Sequence, residues 1–281
     1  MTVAVTGASG QLGRLVVESL LREGVQPVAI VRDPAKVADL AERGVDVRQA
    51  SYDDPAALDR ALEGVDRVLL ISGNEFGKRV AQHTNVIRAA ERAGVELLAY
   101  ASIPNAERNP LILAQEHIGT EAVLDAATVP NVRLRNSWYW ENYTNGLAHT
   151  VEAGVKYGSA REGRVAGAAR ADYAEAAAKV LTTDGHAGQV YELGGDRLTY
   201  VELAQAISDA AGKPVRYQDV PQADYAAALE NAGLDANYAA VLADADAGIA
   251  EGILDVDSGD LEKLLGRPAT PAVEVFRAAL N

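Results

Sequence analysis

Apolar residues follow two alternating patterns along the first half of the chain. Short unbroken runs at 3–6, 27–31, 45–48, 67–71, 97–101 and 132–134 are rich in Val, Ile and Leu and read as strands. Between them, Leu12, Val16, Val17, Leu20 and Leu21 share one helical face, and amphipathic segments cover about 34–43, 55–63, 78–93 and 111–127. Asp33-Pro34 and Asp54-Pro55 each put an oxygen acceptor at a helix cap and Pro at the first helical position, while Gly64 and Gly94 suit helix ends. Strands apolar on both faces and separated by helices predict an α/β fold, a doubly wound parallel Rossmann sheet.

The alternation weakens after Arg135, which sets the expected division: a Rossmann core over 1–135, and a mixed segment over 136–281 that completes the core and forms a smaller, mostly helical lobe. Trp138, Tyr139, Trp140 and Tyr143 gather within six residues and hold both tryptophans of the chain. They read either as an aromatic hinge packing that lobe or as one wall of a pocket for a planar molecule, and the two are compatible. Further on come a helical run at 171–183, a strand at 190–193, a capping box at Thr199–Glu202, a short strand near 215–220 and a late helix near 260–265. The Ala-rich text around 225–251 alternates with Leu, Ile and Asp as a helix does.

Charge narrows the partners. With 26 Lys+Arg against 40 Asp+Glu the chain carries −14, which repels nucleic acid and anionic membrane surfaces. The chain has no Cys, which removes thiolate chemistry, iron–sulfur clusters and Cys-ligated zinc. His83 reads as a packed residue of the helix after the fourth strand, and His149 and His186 show no convergent ligand spacing, so no metal is expected. The opening residues enter a strand pattern directly, and no run approaches the roughly 18 apolar residues of a membrane span, so a cytoplasmic location is expected. The oligomeric state is not written in the sequence.

Gly7-Ala8-Ser9-Gly10-Gln11-Leu12-Gly13 joins the first strand to the first helix. Small residues there let the backbone turn beneath a pyrophosphate, whose charge takes hydrogen bonds from the helix N-terminal amides. Gly7, Ser9, Gly10, Gln11, Leu12 and Gly13 are therefore the candidate dinucleotide loop. The second strand ends in Arg32, with Lys36 a turn later; this favours a 2′-phosphate and hence NADPH, with NADH possible, unless the two cations only solvate the surface. Asp33 reads as the cap of the helix that Pro34 begins. Tyr52 is the candidate at the adenine edge or, equally, a capping-loop tyrosine, and Ser72 and Gly73 follow the fourth strand on the path toward nicotinamide.

Together with TGASGQLG at 6–13, the passages AIVRDPAK at 29–36, LRNSWYWENY at 134–143, RADYAEAAAKVL at 170–181, YELGGD at 191–196 and LLGRP at 264–268 give a specific ordered pattern. In these passages the chain resembles the atypical short-chain dehydrogenases of the NmrA-like group, most closely the type 2 NAD(P)H:quinone oxidoreductases. The resemblance implies a Rossmann domain with a small C-terminal substrate lobe and flavin-free two-electron reduction of quinones. Triphenylmethane-dye reductases, other reductases of conjugated acceptors, and nonenzymatic NADP-sensing regulators resemble the same framework.

The ordinary short-chain dehydrogenase acts through Ser and Tyr-x3-Lys, yet none of the 11 Tyr here has Lys four positions later. Where that pair would fall stand His117 and Glu121, with Ser102 after the fifth strand. His117 reads either as a proton donor or as a packed helix residue; Glu121, four residues on, either orients it or lies on the surface. Asn136, Trp138, Tyr139 and Asn142 match the family's pocket segment, an amide and aromatic faces that hold a flat quinone or related conjugated molecule. Arg170 and Asp172 read as an ion pair or helix boundary.

Overall fold

The apolar runs become strands, and those at the centre of the sheet are covered on both faces, whereas the run at 45–48 lies on its exposed edge. In the computed structural model, which describes residues 1–281, β1 (Val3–Thr6) and β2 (Val28–Val31) are buried at every position. With β3 (Asp46–Gln49), β4 (Arg67–Ile71), β5 (Leu97–Ser102), β6 (Asn131–Asn136) and the later β10 (Val190–Leu193) they form one seven-stranded sheet, in the order β10-β6-β5-β4-β1-β2-β3. The pairs from β1 to β6 are parallel. The order reverses at β1, the place where an open parallel sheet leaves a crevice beyond its strand ends.

The helix starts follow the expected chemistry. Asp33 accepts from the Ala35 amide and opens the 3₁₀ turn Pro34–Val37 ahead of α2 (Ala38–Glu42), and Asp54 accepts from the Ala57 amide at the start of α3 (Pro55–Ala61). The first turn of the 34–43 segment is thus 3₁₀ rather than α. Gly94 ends α4 (Arg79–Ala93) in the left-handed conformation at φ 69°, which only glycine adopts without cost. One core cluster lies between the sheet and α3 and α4, built from residues such as Leu58, Leu62, Val68, Leu70, Val86, Ile87 and Tyr100.

The chain divides into two units of nearly equal length. The first is Met1–Ala106, Glu116–Arg135 and Tyr173–Tyr191; the second is Glu107–Gln115, Asn136–Asp172 and Glu192–Asn281. One break falls after Arg135, and each unit also takes in a segment from the other side of it.

The second unit contains more strand than its sequence suggested. β7 (Trp138–Tyr139), β9 (Arg164–Ala168) and β11 (Asp196–Thr199) form one small sheet, and β8 (Val155–Gly158) pairs in parallel with β12 (Arg216–Asp219). Its helices are α6 (Leu147–Ala153), α8 (Tyr200–Ala211), α9 (Gln222–Asn231), α10 (Ala236–Ala250), α11 (Asp260–Leu265) and α12 (Ala272–Leu280), while α5 (Ala114–Asp125) and α7 (Arg170–Thr182) cross between the units in sequence. The Ala-rich stretch is two helices, because Asp235 caps a fresh start by accepting from the Asn237 and Tyr238 amides. Thr199 and Glu202 form the expected capping box. Inside this unit the Lys156 ammonium sits 4.8 Å from the Tyr200 ring centre and 5.5 Å from those of Tyr143 and Tyr225, and burial lowers its pKa. No helix is long and apolar enough to cross a membrane.

Candidate active site

The glycine loop is shaped by close backbone approach. Gly7 has φ 62°, and the Gly10 amide returns to the Gly7 carbonyl at 2.9 Å. A Cβ on Gly13 would lie 2.4 Å from that carbonyl oxygen and 2.8 Å from the Ala8 Cα, both backbone atoms, so the first turn of α1 (Gln11–Arg22) packs against the loop only with glycine there. Gly10 caps α1 without a side-chain bond, leaving the first amides of the helix to an outside acceptor. Ser9, Gly10 and Gln11 are exposed at this mouth, whereas Leu12 and Gly13 are buried beneath it. This cradle fits a dinucleotide pyrophosphate.

Arg32 stands at the end of β2, its side chain 68% exposed and its Nη1 3.0 Å from Glu75, which Lys78 also approaches at 3.3 Å. An exposed pair of this kind contributes about 0–1 kcal/mol, so a doubly charged phosphate outcompetes it readily. Lys36 is exposed, and its carbonyl accepts from Arg14 at 2.9 Å, which fixes the turn that carries it. Replacing Arg32 and Lys36 together by Gln is expected to weaken NADPH binding by about 10–150-fold and NADH binding far less, if the phosphate contact is desolvated. Separate titrations check this, and equal small losses for both cofactors would count against the assignment.

Tyr52 turns inward. Its hydroxyl donates to the Ile71 carbonyl at 2.9 Å and shares a hydrogen bond with Thr6, and burial raises its pKa. The hydroxyl therefore ties the ends of β1 and β4 together beneath the glycine loop, while the ring meets that of His83 edge-on, 6.1 Å between centres.

The loop after β4 is held by two side chains that the sequence did not single out for this task. The Gly73 amide donates to His83 Nε2 at 3.0 Å, and Arg79 Nε donates to the Gly73 carbonyl at 2.7 Å. Since Nε2 accepts, the His83 proton sits on Nδ1 and is donated to Thr120 Oγ1 at 2.9 Å; Thr120 in turn donates to the Glu116 carbonyl at 2.8 Å. Burial, with Arg79 second, pushes the His83 pKa down to about 3. Ser72, half-buried, precedes Gly73 in this loop.

His117 is 8% exposed and meets the Tyr100 hydroxyl through Nδ1 at 2.8 Å. Burial first, then Arg79 and His83, holds its pKa well below the ordinary imidazole value, so at neutral pH it is an uncharged ring. Glu121 neither orients it nor lies on the surface. The carboxylate is buried and accepts from Arg135 Nε at 3.0 Å, from Arg135 Nη2 at 2.5 Å and from Ser102 Oγ at 2.6 Å. The forked guanidinium arriving from β6 supplies two charge-assisted bonds that a neutral imidazole one turn away does not match.

In the second unit, Asn136, Trp138 and Tyr139 lie along one short stretch. Asn136 Nδ2 donates to the Tyr139 hydroxyl at 3.3 Å, and its buried Oδ1 has no hydrogen-bond partner. β7 pairs with β9 so that Trp138 lies opposite Gly167, and a Cβ on Gly167 would strike the Trp140 ring at 2.5 Å. Trp140 is fully buried and is the packing anchor, whereas Trp138 is 8% exposed. The Arg170 guanidinium lies over the Tyr139 ring, its Cζ 4.9 Å from the ring centre. Asn142 is exposed on the following turn and bonds to neither Asn136 nor Tyr139. Asp172 is consumed by Arg267 at 2.8 Å and by the Thr270 amide at 2.7 Å, so it serves structure. No three His, Asp or Glu side chains converge to hold a metal ion.

The NmrA-like family profile matches residues 1–263. The chain belongs to the NmrA-like family. This NmrA-like protein is 49% identical to quinone oxidoreductase 2 of Escherichia coli (strain K12), over 99% of each chain. Its fold matches the crystal structure of the Escherichia coli NADPH-dependent quinone oxidoreductase complexed with NADPH at a TM-score of 0.95, with 48% identity over 99% of this chain and 100% of the other. The triphenylmethane reductase of Citrobacter sp., complexed with NADP(H), matches at a TM-score of 0.94 and 37% identity over 99% of each chain.

Proposed function

We infer that this protein is an NAD(P)H:quinone oxidoreductase that prefers NADPH and reduces quinones by two electrons through direct hydride transfer, without flavin. The observation that carries the reading is the near full-length 49% identity with a quinone oxidoreductase, joined to a glycine loop whose backbone approach fits the same cofactor. Gly7, Ser9, Gly10, Gln11, Leu12 and Gly13 would hold the pyrophosphate, Arg32 and Lys36 the 2′-phosphate, and the side of the Tyr52 ring the adenine edge. The Gly73 backbone, fixed at both its amide and its carbonyl, would flank the nicotinamide end together with Ser72. NADPH bound there supplies the hydride.

On the acceptor side, Asn136 and the faces of Trp138 and Tyr139 would orient a planar conjugated ring, with Asn142 at the rim. A quinone becomes aromatic on reduction, so correct placement does much of the work and no covalent nucleophile is required. His117, uncharged at neutral pH, contributes a hydrogen bond rather than an imidazolium proton.

Single-turnover reduction of a quinone with C4-deuterated NADPH tests the reading. A primary isotope effect on both NADPH loss and hydroquinone formation, with no flavin spectrum at any stage, is expected. Reduced flavin formed ahead of hydroquinone would overturn it.

A further inference from the structure

We propose that Arg170 carries the negative charge that hydride transfer places on the acceptor oxygen, in the role that a proton donor fills in ordinary short-chain dehydrogenases. The inference rests on the quinone-reductase reading and adds a catalytic residue to it.

Three observations lead to it. First, Arg170 is left without an anionic partner although two carboxylates lie close in sequence or space. Glu141 spends both oxygens on the Arg170 backbone amide, at 2.9 and 3.0 Å, as the cap of α7. Asp172 spends both of its oxygens on Arg267 and Thr270. The guanidinium forms no ion pair and is half-buried, with the Tyr139 ring as its support.

Second, the Tyr139 ring places the guanidinium beside the proposed acceptor wall. With its Cζ 4.9 Å from the Tyr139 ring centre, the guanidinium holds its five N–H donors within reach of an oxygen on a molecule packed against that ring. Asn136, bonded to the Tyr139 hydroxyl through Nδ2, brings an unpaired buried acceptor to the same neighbourhood. One wall thus offers donors for an oxyanion and an acceptor for a hydroxyl, the two faces that a half-protonated hydroquinone presents.

Third, neither side chain at the position of the ordinary proton donor or its serine supplies the charge. His117 is held neutral by burial, and the Ser102 hydroxyl is committed to Glu121. When the nicotinamide C4–H bond breaks and its hydrogen and electron pair join the quinone, the conjugated system delivers the excess charge to a ring oxygen as aryloxide. Water then supplies the one proton that completes the balance: quinone, NADPH and H⁺ give hydroquinone and NADP⁺. A fixed cation beside that oxygen lowers the barrier without itself losing a proton, since guanidinium stays charged throughout.

The test uses the protein with NADP⁺ bound and 4-nitrophenol as probe, because its ionised form is coloured. The wild-type protein is expected to bind the phenolate about 10- to 100-fold more tightly than the phenol, read as ionisation of the bound probe at lower pH than in free solution. Arg170→Gln, a planar uncharged side chain that still covers Tyr139, should lose that preference, while Arg170→Lys keeps a part of it. In parallel, R170Q should lower kcat for quinone by about 10- to 100-fold with NADPH affinity and thermal stability near wild type. A phenolate preference unchanged in R170Q overturns the proposal, as does a kcat within threefold of wild type. If R170Q does not fold, Arg170→Met, a long uncharged side chain, carries the test: a wild-type phenolate preference or a wild-type kcat in it would equally overturn the proposal. A wild-type protein that reduces no quinone defeats the functional reading instead, while the phenolate titration still judges Arg170.

Discussion

Acidification from pH 6.5 toward pH 3 is expected to remove stability from the folded chain through His83. Its ring must accept from the Gly73 amide, and protonation would set two N–H groups against each other in a buried site. The folded pKa is about 3 against an ordinary value of 6.5. Above pH 6.5 both folded and unfolded chains hold the ring neutral. Between 6.5 and 3 the unfolded chain binds a proton that the folded chain refuses, so stability falls as pH falls, by about 1.4 kcal/mol per unit. By pH 3 the loss from this group approaches roughly 5 kcal/mol, comparable with the whole stability of a small domain. His117 acts in the same direction, whereas Asp246, whose pKa burial raises, returns some stability on acidification. Urea unfolding at successive pH values checks this: His83→Gln should flatten the dependence by about one proton relative to wild type, and identical slopes would refute it.

The second large effect belongs to Gly13. Its missing Cβ would stand 2.4 Å from the Gly7 carbonyl oxygen, and neither backbone atom nearby can swing away as a side-chain tip does. Gly13→Ala must open the turn that places the α1 amides beneath the pyrophosphate. We expect loss of NADPH affinity of about 100-fold or more and a fall in stability of roughly 1–3 kcal/mol. Gly10→Ala is the control, because its Cβ would meet the same oxygen at 3.2 Å, a contact that a small shift relieves. Calorimetric NADPH titration of both variants separates them; near-normal binding by G13A would mean that the loop does not need the close approach.

The Rossmann half was legible because its signals are local. Asp33-Pro34 and Asp54-Pro55 carry their own caps, and the runs that become β1, β2, β4 and β5 are short and nearly continuously apolar. The second unit hid its strands for a physical reason. β7 is two residues long, and β9 contains Gly167, which is needed to admit the Trp140 ring and offers no β propensity of its own. The side-chain environments were the least legible. Spacing alone puts Glu121 beside His117, yet Arg135 from another strand takes the carboxylate. Spacing alone also makes Arg170 and Asp172 equivalent, and only Arg267 and Thr270, almost a hundred residues away, consume the acid and leave the base.

The burial of Ser102 limits how the protein can be redesigned. In an alcohol dehydrogenase of this architecture a serine hydroxyl at the end of the fifth strand polarises the carbonyl, but here its proton goes to Glu121, itself clamped by Arg135. Grafting a tyrosine and a lysine onto α5 would therefore leave the hydroxyl unavailable. Removing Glu121 to release it would take two charge-assisted bonds from the buried Arg135 guanidinium, each worth about 1.5–3 kcal/mol. A route from conjugated acceptors to simple ketones would therefore have to change the serine and its buried acid together, because a new tyrosine and lysine alone gain no free hydroxyl to work with.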